Sequence, residues 1–364
     1  MRSGKKFQKL NNNKKVNLGV IGCGSVSEMY LDYLSCQKDV CLFACSDVNV
    51  ELAKSVAGKY GISNVLTVPK LLANKDVDIV LNLTNPLSHS LINRSVLKSK
   101  KNLFCEKPYA LNGKEADIIL GLAKKSGLLF YTAPDTYLSE AYKSAKIFIE
   151  KGGIGTVFSV NVVSTCRPVE NWHPNPEFFY KKGAGPLFDR GVYYLTALVF
   201  FFGKIISVSS YSEKYIPNRF YKRNKLREKI SVESQTHYSS IVKFKNGVTA
   251  TLMFSFDVEP NPLKTDIMKI YGSLGVIDMP TPMEYGGVAN VYNNGLKKWV
   301  SVSGKKKVGY YLEGDIRGAA VIDMINELKS HRLNYDNALM ANHVIKVMEA
   351  IEKSGKANKI INIK

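Results

Sequence analysis

The sequence predicts an α/β protein of two domains: a parallel sheet covered by helices, then an α+β part with an open, mostly antiparallel sheet. The chain has 364 residues, a length typical of two ordinary domains. Its first third alternates apolar strands with helical segments, which favours a parallel sheet. After Pro134 the pattern changes to short alternating segments joined by turns.

The strands of the first third are nearly continuous apolar runs, as a sheet buried on both faces requires. The run "VNLGVI" opens this series, and a segment with helical spacing follows each strand but the last. We place strands at 16–21, 40–47, 78–84, 102–106 and 128–132, and helices at 25–36, 49–60, 88–100 and 112–126.

The second part opens with a helix that ends in the glycines of "KGGIG". Turn signals such as Lys245-Asn246-Gly247 then separate strands with alternating apolar residues. Predicted helices cover 136–151, 314–331 and 336–353, and predicted strands cover 156–165, 206–212, 235–244, 247–256 and 266–279. The predicted domains are 16–134 and 135–364, after a tail at 1–15 with six basic residues and no acid, which we expect to be disordered.

The charge balance is strongly basic, with 51 Lys and Arg against 31 acids and a net charge of +20. Such a charge could attract nucleic acid or an anionic substrate. The densest basic stretch, at 214–230, is interpreted as a solvated loop, because basic residues are scattered along the chain and no nucleic-acid-binding motif is present.

Targeting and metal-binding signals are missing from the sequence. No apolar run is long enough to span a bilayer, and the first residues do not form a signal peptide, so a cytoplasmic location is expected. The six cysteines form no C-x-x-C pair, and no histidines cluster near them. We therefore expect buried free thiols and no metal site.

A glycine motif follows the first strand in "GVIGCGSVS", as a dinucleotide-binding turn requires. Gly22 allows a tight turn, and Gly24 lets the backbone approach a pyrophosphate. That group would lie at the positive end of the following helix, which begins with Ser25 and Val26. Ser27 stands where the motif has Gly or Ala, which is a small deviation.

Asp47 ends the second strand, 23 positions after Gly24. A carboxylate there accepts hydrogen bonds from a ribose diol and repels a 2′-phosphate, so NAD(H) is preferred and NADP(H) is left open. Asp47 could instead cap the next helix. In "LTNPLSH", Thr84 and Asn85 could contact the nicotinamide side of a cofactor, whereas His89 either contacts it or belongs to the helix start.

Residues 103–109 read "LFCEKPY", an apolar strand that runs directly into a charged pair and a proline. With the glycine motif, "LTNPLSH" and "GAGPLFDRGVYYLTALVFFFG" at 183–203, this stretch resembles the Gfo/Idh/MocA oxidoreductases from about residue 16 onward. The resemblance implies a Rossmann dinucleotide-binding domain and a C-terminal substrate-binding domain. It also implies NAD(P)-dependent chemistry on sugars, inositols or their derivatives.

The resemblance implies that Lys107 points at the substrate oxygen beside the nicotinamide. A cation at that place stabilises a developing alkoxide, and strand ends of open α/β sheets are where ligands bind. Glu106 could keep Lys107 charged and belongs to the predicted cofactor site. The resemblance also implies a cis peptide bond before Pro108. A plain surface ion pair is the alternative.

The family motif Asp-x-Gly-x-His, with Tyr replacing His in some members, corresponds to Asp189 through Tyr193. We assign Tyr193 as the proton donor and acceptor on the substrate oxygen, and Asp189 to a neighbouring hydroxyl. Members with His often carry Asp three residues later, where this chain has Thr196, so the inositol-dehydrogenase subgroup fits less well. Tyr193 could also be a core aromatic, and Tyr194 is its natural control.

The sequence therefore predicts an NAD(P)-dependent oxidoreductase that interconverts a secondary alcohol and a ketone on a sugar-like substrate, which could be anionic. Trp172 and His173, on a proline-flanked loop, are candidate substrate contacts or loop anchors. The open sheet suggests a homodimer or homotetramer. The alternative is a non-catalytic NAD(H)-binding sensor that contacts a partner or nucleic acid, against which Lys107, Asp189 and Tyr193 argue.

Overall fold

A computed structural model describes residues 15–223, 226–259, 266–295, 297–302 and 317–363. The predicted basic tail lies outside the described residues except for Lys15, and so do residues 314–316 of a predicted helix. The chain divides into two compact units, Met1–Asp135 with Ile316–Asn342 and Thr136–Asp315 with His343–Lys364. Within the described ranges, no helix combines the length and the apolar character needed to cross a membrane.

The first unit contains a six-stranded sheet in the order β3-β2-β1-β4-β5-β6. Its strands are β1 Val16–Ile21, β2 Val40–Ser46, β3 Asn64–Val65, β4 Ile79–Asn82, β5 Asn102–Cys105 and β6 Phe130–Thr132. All neighbouring strands are parallel, which confirms the predicted doubly wound sheet. The strand order reverses between β1 and β4, and ligands of such sheets bind outside the carboxyl ends of the strands at this point.

The connecting helices begin and end at residues with local reasons for doing so. The helices are α1 Ser25–Leu34, α2 Val50–Tyr60, α3 Val68–Ala73, α4 Pro86–Lys98 and α5 Gly113–Ser126. The Asn49 side chain caps α2 by accepting from two backbone N–H groups, and Asn112 accepts one at the start of α5. Gly61 and Gly127 end these two helices in the left-handed region.

The second unit contains a nine-stranded sheet in the order β16-β15-β14-β13-β7-β12-β11-β8-β17. Its strands are β7 Val157–Thr165, β8 Ile205–Glu213, β11 His237–Phe244, β12 Thr249–Ser255, β13 Asp266–Gly272, β14 Gly275–Asp278, β15 Asn290–Asn293, β16 Val300–Ser301 and β17 Ile361–Asn362. Among the described strands of this second sheet, only β7 and β12 pair in parallel, so the mostly antiparallel prediction is confirmed. The predicted single strand at 266–279 is in fact the hairpin of β13 and β14.

The remaining helices are α6 Glu140–Glu150, α7 Val192–Phe202, α8 Ala319–Lys329 and α9 Asp336–Ala357. α7 is apolar on almost every side and is buried along most of its length, as expected for a core helix. A π-helical turn, Leu187–Gly191, directly precedes it. α8 belongs to the first unit, and the boundary between the units falls within α9.

Two expectations need correction. Residues 214–230 are not simply a solvated loop: β9 Arg219–Arg223 and β10 Leu226–Ile230 form an antiparallel hairpin, and Arg219 is only 1% exposed. The thiols are all free, but they are not all buried, because Cys36 is exposed.

Candidate active site

The glycine turn has the geometry that its sequence requires. Gly22 adopts a φ of +97°, and a Cβ there would come within 2.7 Å of the backbone of Leu83 and Thr84. Gly24 is the N-cap residue of α1 and contributes no capping side chain. A Cβ on Gly24 would meet no described atom within 4 Å. The turn therefore leaves room for a ligand in front of the α1 N-terminus, where a pyrophosphate fits.

The start of α1 also accommodates its one departure from the motif. Ser25 is exposed and Val26 is half-buried, both in the first turn of the helix. Ser27 is fully buried, and its hydroxyl donates to the Gly24 carbonyl at 2.7 Å. Because this bond satisfies the hydroxyl within the turn, Ser27 serves as the small residue needed for close packing of helix and strand.

Asp47, in the loop after β2, connects this loop to the glycine turn. Its two carboxylate oxygens accept backbone N–H groups, from Cys23 at 2.7 Å and from Asn49 at 2.8 Å. A carboxylate offers about four acceptor positions, so these two bonds leave capacity for a ribose diol. Asn49, and not Asp47, caps α2 through its side chain. The predicted alternative role of Asp47 as helix cap is therefore taken by its neighbour.

The loop after β4 is held by a buried polar network. His89 is fully buried, and its Nδ1 and Nε2 lie 2.7 Å and 2.8 Å from the carbonyl oxygens of Pro108 and Thr84. Burial lowers the pKa of His89, while the two carbonyls oppose that shift because they only accept hydrogen bonds. Asn85 caps α4 by accepting from the Ser88 N–H at 3.1 Å. In this structure, His89 thus connects the β4 loop to the loop after β5.

Glu106 forms the centre of a charged cluster at the end of β5. It is 5% exposed, and its Oε1 accepts from the Tyr30 hydroxyl at 2.8 Å and from Arg317 Nη1 at 3.0 Å. Its Oε2 accepts from the Lys107 backbone N–H at 2.6 Å. Burial would raise the pKa of Glu106, but Arg317 and Lys107 outweigh this and lower it. The peptide bond before Pro108 is cis, as expected.

The second unit carries the other predicted reactive residues on the segment before α7. Asp189 lies in the π-helical turn, where backbone bonds widen from i+4 to i+5, and Tyr193 lies in the first turn of α7. Arg190 anchors this turn: it binds both oxygens of Asp266, at 2.7 and 2.9 Å, and its Nε donates to Ser164 Oγ at 2.9 Å. Asp189 and Tyr193 therefore lie on two consecutive elements, the π-turn and α7.

Tyr193 and Tyr194 have different surroundings. Tyr193 is 4% exposed, and Tyr194 is completely buried. The Tyr194 ring packs against Phe254 with centroids 5.9 Å apart, and its hydroxyl lies 3.2 Å from Thr281 Oγ1. Burial raises the pKa of Tyr194 well above its usual range. Tyr194 therefore has a structural place in the core of the second unit.

The loop that contains Trp172 and His173 is built from two short 3₁₀ turns, Val169–Asn171 and Pro176–Tyr180. Trp172 is 45% exposed, and His173 is half-buried. Nδ1 of His173 accepts from the Asn175 backbone N–H at 3.0 Å. Within the described residues, no group of three or more His, Cys, Asp or Glu side chains could hold a metal ion.

Sequence reasoning missed the charged residues that position these loops. Arg317 and Glu106 are 211 residues apart in sequence, and no local pattern connects them. Arg190 lies inside the recognised motif, but its partner Asp266 is 76 residues away. Arg219 lies in the basic stretch at 214–230, so its sequence context did not distinguish it from exposed basic residues. The one usable signal was the apolar setting of Glu106, which called for a partner of opposite charge.

Two family profiles match the chain. Residues 16–133 match the oxidoreductase family with an NAD-binding Rossmann fold, and residues 142–278 match the GFO/IDH/MocA C-terminal domain. These two stretches fall on either side of the boundary between the compact units. The predicted NAD-binding domain and the predicted family are both confirmed.

Relatives and solved structures are similar to this chain over different lengths. The myo-inositol 2-dehydrogenase of Thermotoga maritima is 29% identical over 150 residues, 41% of this chain and only 45% of that protein. Oxidoreductase P35 of Formosa agariphila is 25% identical over 78% of this chain and 84% of its own length. A levoglucosan dehydrogenase solved with NADH and L-sorbose matches 96% of this chain and 99% of its own, with a TM-score of 0.79 and 18% identity. The last similarity shows the fold.

Proposed function

This chain belongs to the Gfo/Idh/MocA family of oxidoreductases with an NAD-binding Rossmann fold, and we propose that it is an NAD-dependent dehydrogenase of sugars or cyclic polyols. It would interconvert a secondary alcohol and a ketone. The observation that carries the proposal is the cluster at the end of β5, where buried, ionised Glu106 fixes the Lys107 backbone. Relatives named inositol and levoglucosan dehydrogenases support this class of substrate.

The cofactor would lie against the glycine turn and Asp47. The open space at Gly24 would admit the pyrophosphate, and Ser25 and Val26 would present their backbone N–H groups to it. The charge of Asp47 favours a ribose diol over a 2′-phosphate, so NAD(H) would bind more tightly than NADP(H). Tighter binding of NADPH than of NADH in a fluorescence titration would overturn this preference.

The loops after β4 and β5 would form the nicotinamide side of the cofactor site. Thr84 and Asn85 remain candidate contacts there, and His89 would act from behind by holding the Pro108 and Thr84 carbonyls. Bound NAD⁺ supplies the hydride acceptor. A cation beside the carbinol oxygen lowers the cost of the negative charge that develops on it, which is the role we propose for Lys107.

Proton transfer on the substrate oxygen would fall to Tyr193. A phenol near an ammonium has a lowered pKa, which eases loss and return of the proton near neutral pH. Asp189, next to it along the π-turn and α7 segment, would accept a hydrogen bond from a neighbouring hydroxyl. These three residues would then separate the work into charge stabilisation, proton transfer and substrate orientation.

A direct assay tests this function. The protein is incubated with NAD⁺ and a panel of cyclic polyols, aldoses and sugar nucleotides while NADH absorbance is followed. Turnover of a panel member is expected, and Lys107→Met or Tyr193→Phe should reduce it by about 10²–10⁴-fold. Tyr194→Phe, which loses only a hydrogen bond to Thr281, is the matched control and should retain most of the rate. Equal losses of activity in Tyr193→Phe and Tyr194→Phe would show that proton transfer has been assigned to the wrong residue.

Two further outcomes of the assay separate alternatives. Activity that falls steeply with added salt would indicate an anionic substrate attracted by the net charge of +20. Binding of NADH without turnover of any panel member, together with salt-dependent retardation of DNA, would instead support the non-catalytic sensor. The cytoplasmic location stays a prediction.

We also propose that the open face of the second sheet pairs with another copy of the chain. A shallow depression of about 340 Å³ lies on this face between Asn161, Tyr211, Ile241 and Met253. Tyr211 is 69% exposed and Ile241 is 54% exposed, which is costly for apolar side chains in water. Light scattering should show a homodimer or homotetramer that dissociates in Ile241→Glu, but not in Ile147→Glu on α6.

A further inference from the structure

A second buried charged cluster lies in the second unit, away from the residues assigned above. Arg219, at the first position of β9, has no exposed side-chain surface. Its Nη1 donates to Glu170 Oε1 at 2.9 Å and to the Tyr180 hydroxyl at 3.1 Å, and its Nη2 donates to Asp257 Oδ1. The guanidinium also lies over the Tyr180 ring, 4.8 Å from its centroid. A cation so enclosed persists only when its partners are fixed around it.

The cluster joins three separate segments of the chain. Glu170 and Tyr180 come from the loop of two 3₁₀ turns, Arg219 from the β9–β10 hairpin, and Asp257 from the chain two residues after β12. The Tyr180 hydroxyl donates to Glu170 Oε2 and accepts the Val169 backbone N–H at 3.0 Å.

An apolar cluster surrounds this ionic centre. It consists of Val169, Tyr180, Tyr221, Ile230 and Phe256. The loop therefore has its own small core, although it contains no long helix or strand. The hairpin supplies two of the five residues of this core and the central cation.

Aromatic side chains stand on the loop that this cluster holds. The rings of Trp172 and His173 pack edge to face with centroids 5.5 Å apart, and the centroids of His173 and Phe179 are 4.9 Å apart. The Phe179 ring in turn packs against Phe256 of the apolar cluster, with centroids 6.4 Å apart. Trp172 and Phe178 are 45% and 38% exposed. The result is an open aromatic surface with a continuous line of ring contacts down to the buried cluster.

Cys166 connects this aromatic surface to the π-turn before α7. Burial raises the pKa of the Cys166 thiol, and the charges of Arg190 and Asp189 act on it in opposite directions. Arg190 of the π-turn donates from Nε to Ser164 Oγ at 2.9 Å, and Cys166, two residues further along the chain, packs against the apolar cluster of the loop. The segment at residues 164–166 therefore contacts both the apolar cluster of the loop that carries Trp172 and the π-turn that carries Asp189, the residue proposed to bind a substrate hydroxyl.

From this arrangement we infer that Trp172 is a stacking surface for the C–H face of the sugar or polyol ring, and that Arg219 is the positioning residue that holds it. The inference rests on the proposed function, because it assumes a substrate hydroxyl at Asp189. An indole face carries partial negative charge and a large apolar area, which suits the weakly positive C–H groups of a saturated ring. Stacking on one side and hydroxyl recognition on the other would orient the ring.

Trp172 can be observed separately, because the chain contains two tryptophans and the other is Trp299. In a Trp299→Phe background, acrylamide quenching of the remaining fluorescence measures how firmly Trp172 is held, without cofactor or substrate. Arg219→Met should at least double the quenching constant, with Arg219→Lys in between. Phe220→Ala changes the exposed neighbour on the same strand and should leave the quenching constant unchanged.

Steady-state kinetics test the stacking role. Arg219→Met and Trp172→Ala should each raise KM for the substrate at least tenfold, with kcat within about threefold of wild type and NADH affinity unchanged. Trp172→Phe should recover most of the loss. If Arg219→Met does not fold, Glu170→Gln provides the milder break of the same cluster and should give the same pattern with a smaller amplitude.

The outcomes separate this inference from the function it rests on. Unchanged quenching in the Arg219 and Glu170 variants would overturn the positioning role, and unchanged KM in Trp172→Ala would overturn the stacking role. A loss of kcat with unchanged KM in Trp172→Ala would contradict it as well. If wild type oxidises no panel member, the proposed function and the stacking role fall together, while the quenching result still decides whether Arg219 holds Trp172.

Discussion

Among the described residues, each unit of this protein contains a buried charged cluster, and the central charges of the two clusters have opposite sign. In the first unit a carboxylate, Glu106, is enclosed by Tyr30, Arg317 and Lys107. In the second unit a guanidinium, Arg219, is enclosed by two carboxylates. The central charge is paired with opposite charge in both, but the net charge differs, because the first cluster has two cations for one carboxylate and the second has two carboxylates for one cation. A cation-rich cluster suits chemistry that develops negative charge, and an anion-rich one serves to order a loop.

The largest expected effect tests the first cluster. Arg317→Met removes a cation and leaves Glu106 buried, so the free energy of unfolding should fall by about 3–5 kcal/mol. Urea unfolding followed by circular dichroism measures this loss. The double variant Arg317→Met/Glu106→Gln removes the unpaired carboxylate as well, and it should recover part of the lost free energy of unfolding.

Arg332→Met is the control for this experiment, because that side chain is 72% exposed and should contribute less than about 0.5 kcal/mol. If Arg317→Met were as mild as Arg332→Met, the cluster would not be the organising feature of the first unit. The comparison between the two clusters would then lose its basis.

An intermediate effect is expected at Asp47, which lies in the same unit but outside the cluster. Asp47→Ser removes the carboxylate while leaving a small polar side chain, so the Kd for NADH should rise about tenfold, or about 1.4 kcal/mol. NADPH affinity should stay the same or improve, because a 2′-phosphate no longer meets a negative charge. Fluorescence titration measures both constants. Asp76→Asn, an exposed acid of the same unit, should change neither of them.

The smallest effect compares the acid sensitivity of the two units. The pKa of Glu106 lies below its ordinary 4.5, so its contribution to stability is complete above about pH 4.5 and is lost only below that. In the second unit, burial and then Lys204 and Lys346 lower the pKa of His343 from 6.5 to about 4. Its contribution is complete above pH 6.5 and is lost as the pH falls from 6.5 towards 4.

On acidification the second unit should therefore lose the contribution of His343 before the first unit loses that of Glu106. In His343→Gln, the acid-induced decrease in the free energy of unfolding of the second unit should be smaller by about 1 kcal/mol near pH 5, after allowance for the partial exposure of the ring. Nε2 of His343 accepts the Ile205 backbone N–H at 2.9 Å, and a glutamine oxygen can replace that acceptor. Limited proteolysis as a function of pH, with fragments assigned to each unit, measures the order of opening. Earlier opening of the first unit would contradict the prediction.

Much of the fold was predictable because its signals are local. The turn at Gly22, the caps at Asn49 and Asn112, and the apolar runs of the parallel strands each depend on a few neighbouring residues. The second sheet was harder to predict. The break between β13 and β14 looked like one strand because apolar residues continue through it, and the hairpin of β9 and β10 looked like solvent-exposed chain because it is rich in Lys and Arg.

The candidate residues divide in the same way. Lys107, Asp189 and Tyr193 were predicted from motifs and stay proposals for the chemistry. His89 was predicted with two alternatives, and its complete burial between two carbonyls gives it a supporting position. Asp47 was predicted as a ribose contact or a helix cap, and the cap is supplied by Asn49.

From the order of its residues alone, this chain specified a cofactor-binding sheet, its glycine turn and the positions of the side chains proposed for the chemistry. Periodicity, turn chemistry and capping act over a few residues, so they can be recognised without coordinates. Which charges are buried together depended on the folded chain, as for Glu106 with Arg317, 211 residues apart, and Glu170 with Arg219, 49 residues apart. A charge tolerates burial only beside its partner, and that partner is identified by where the segments meet in space.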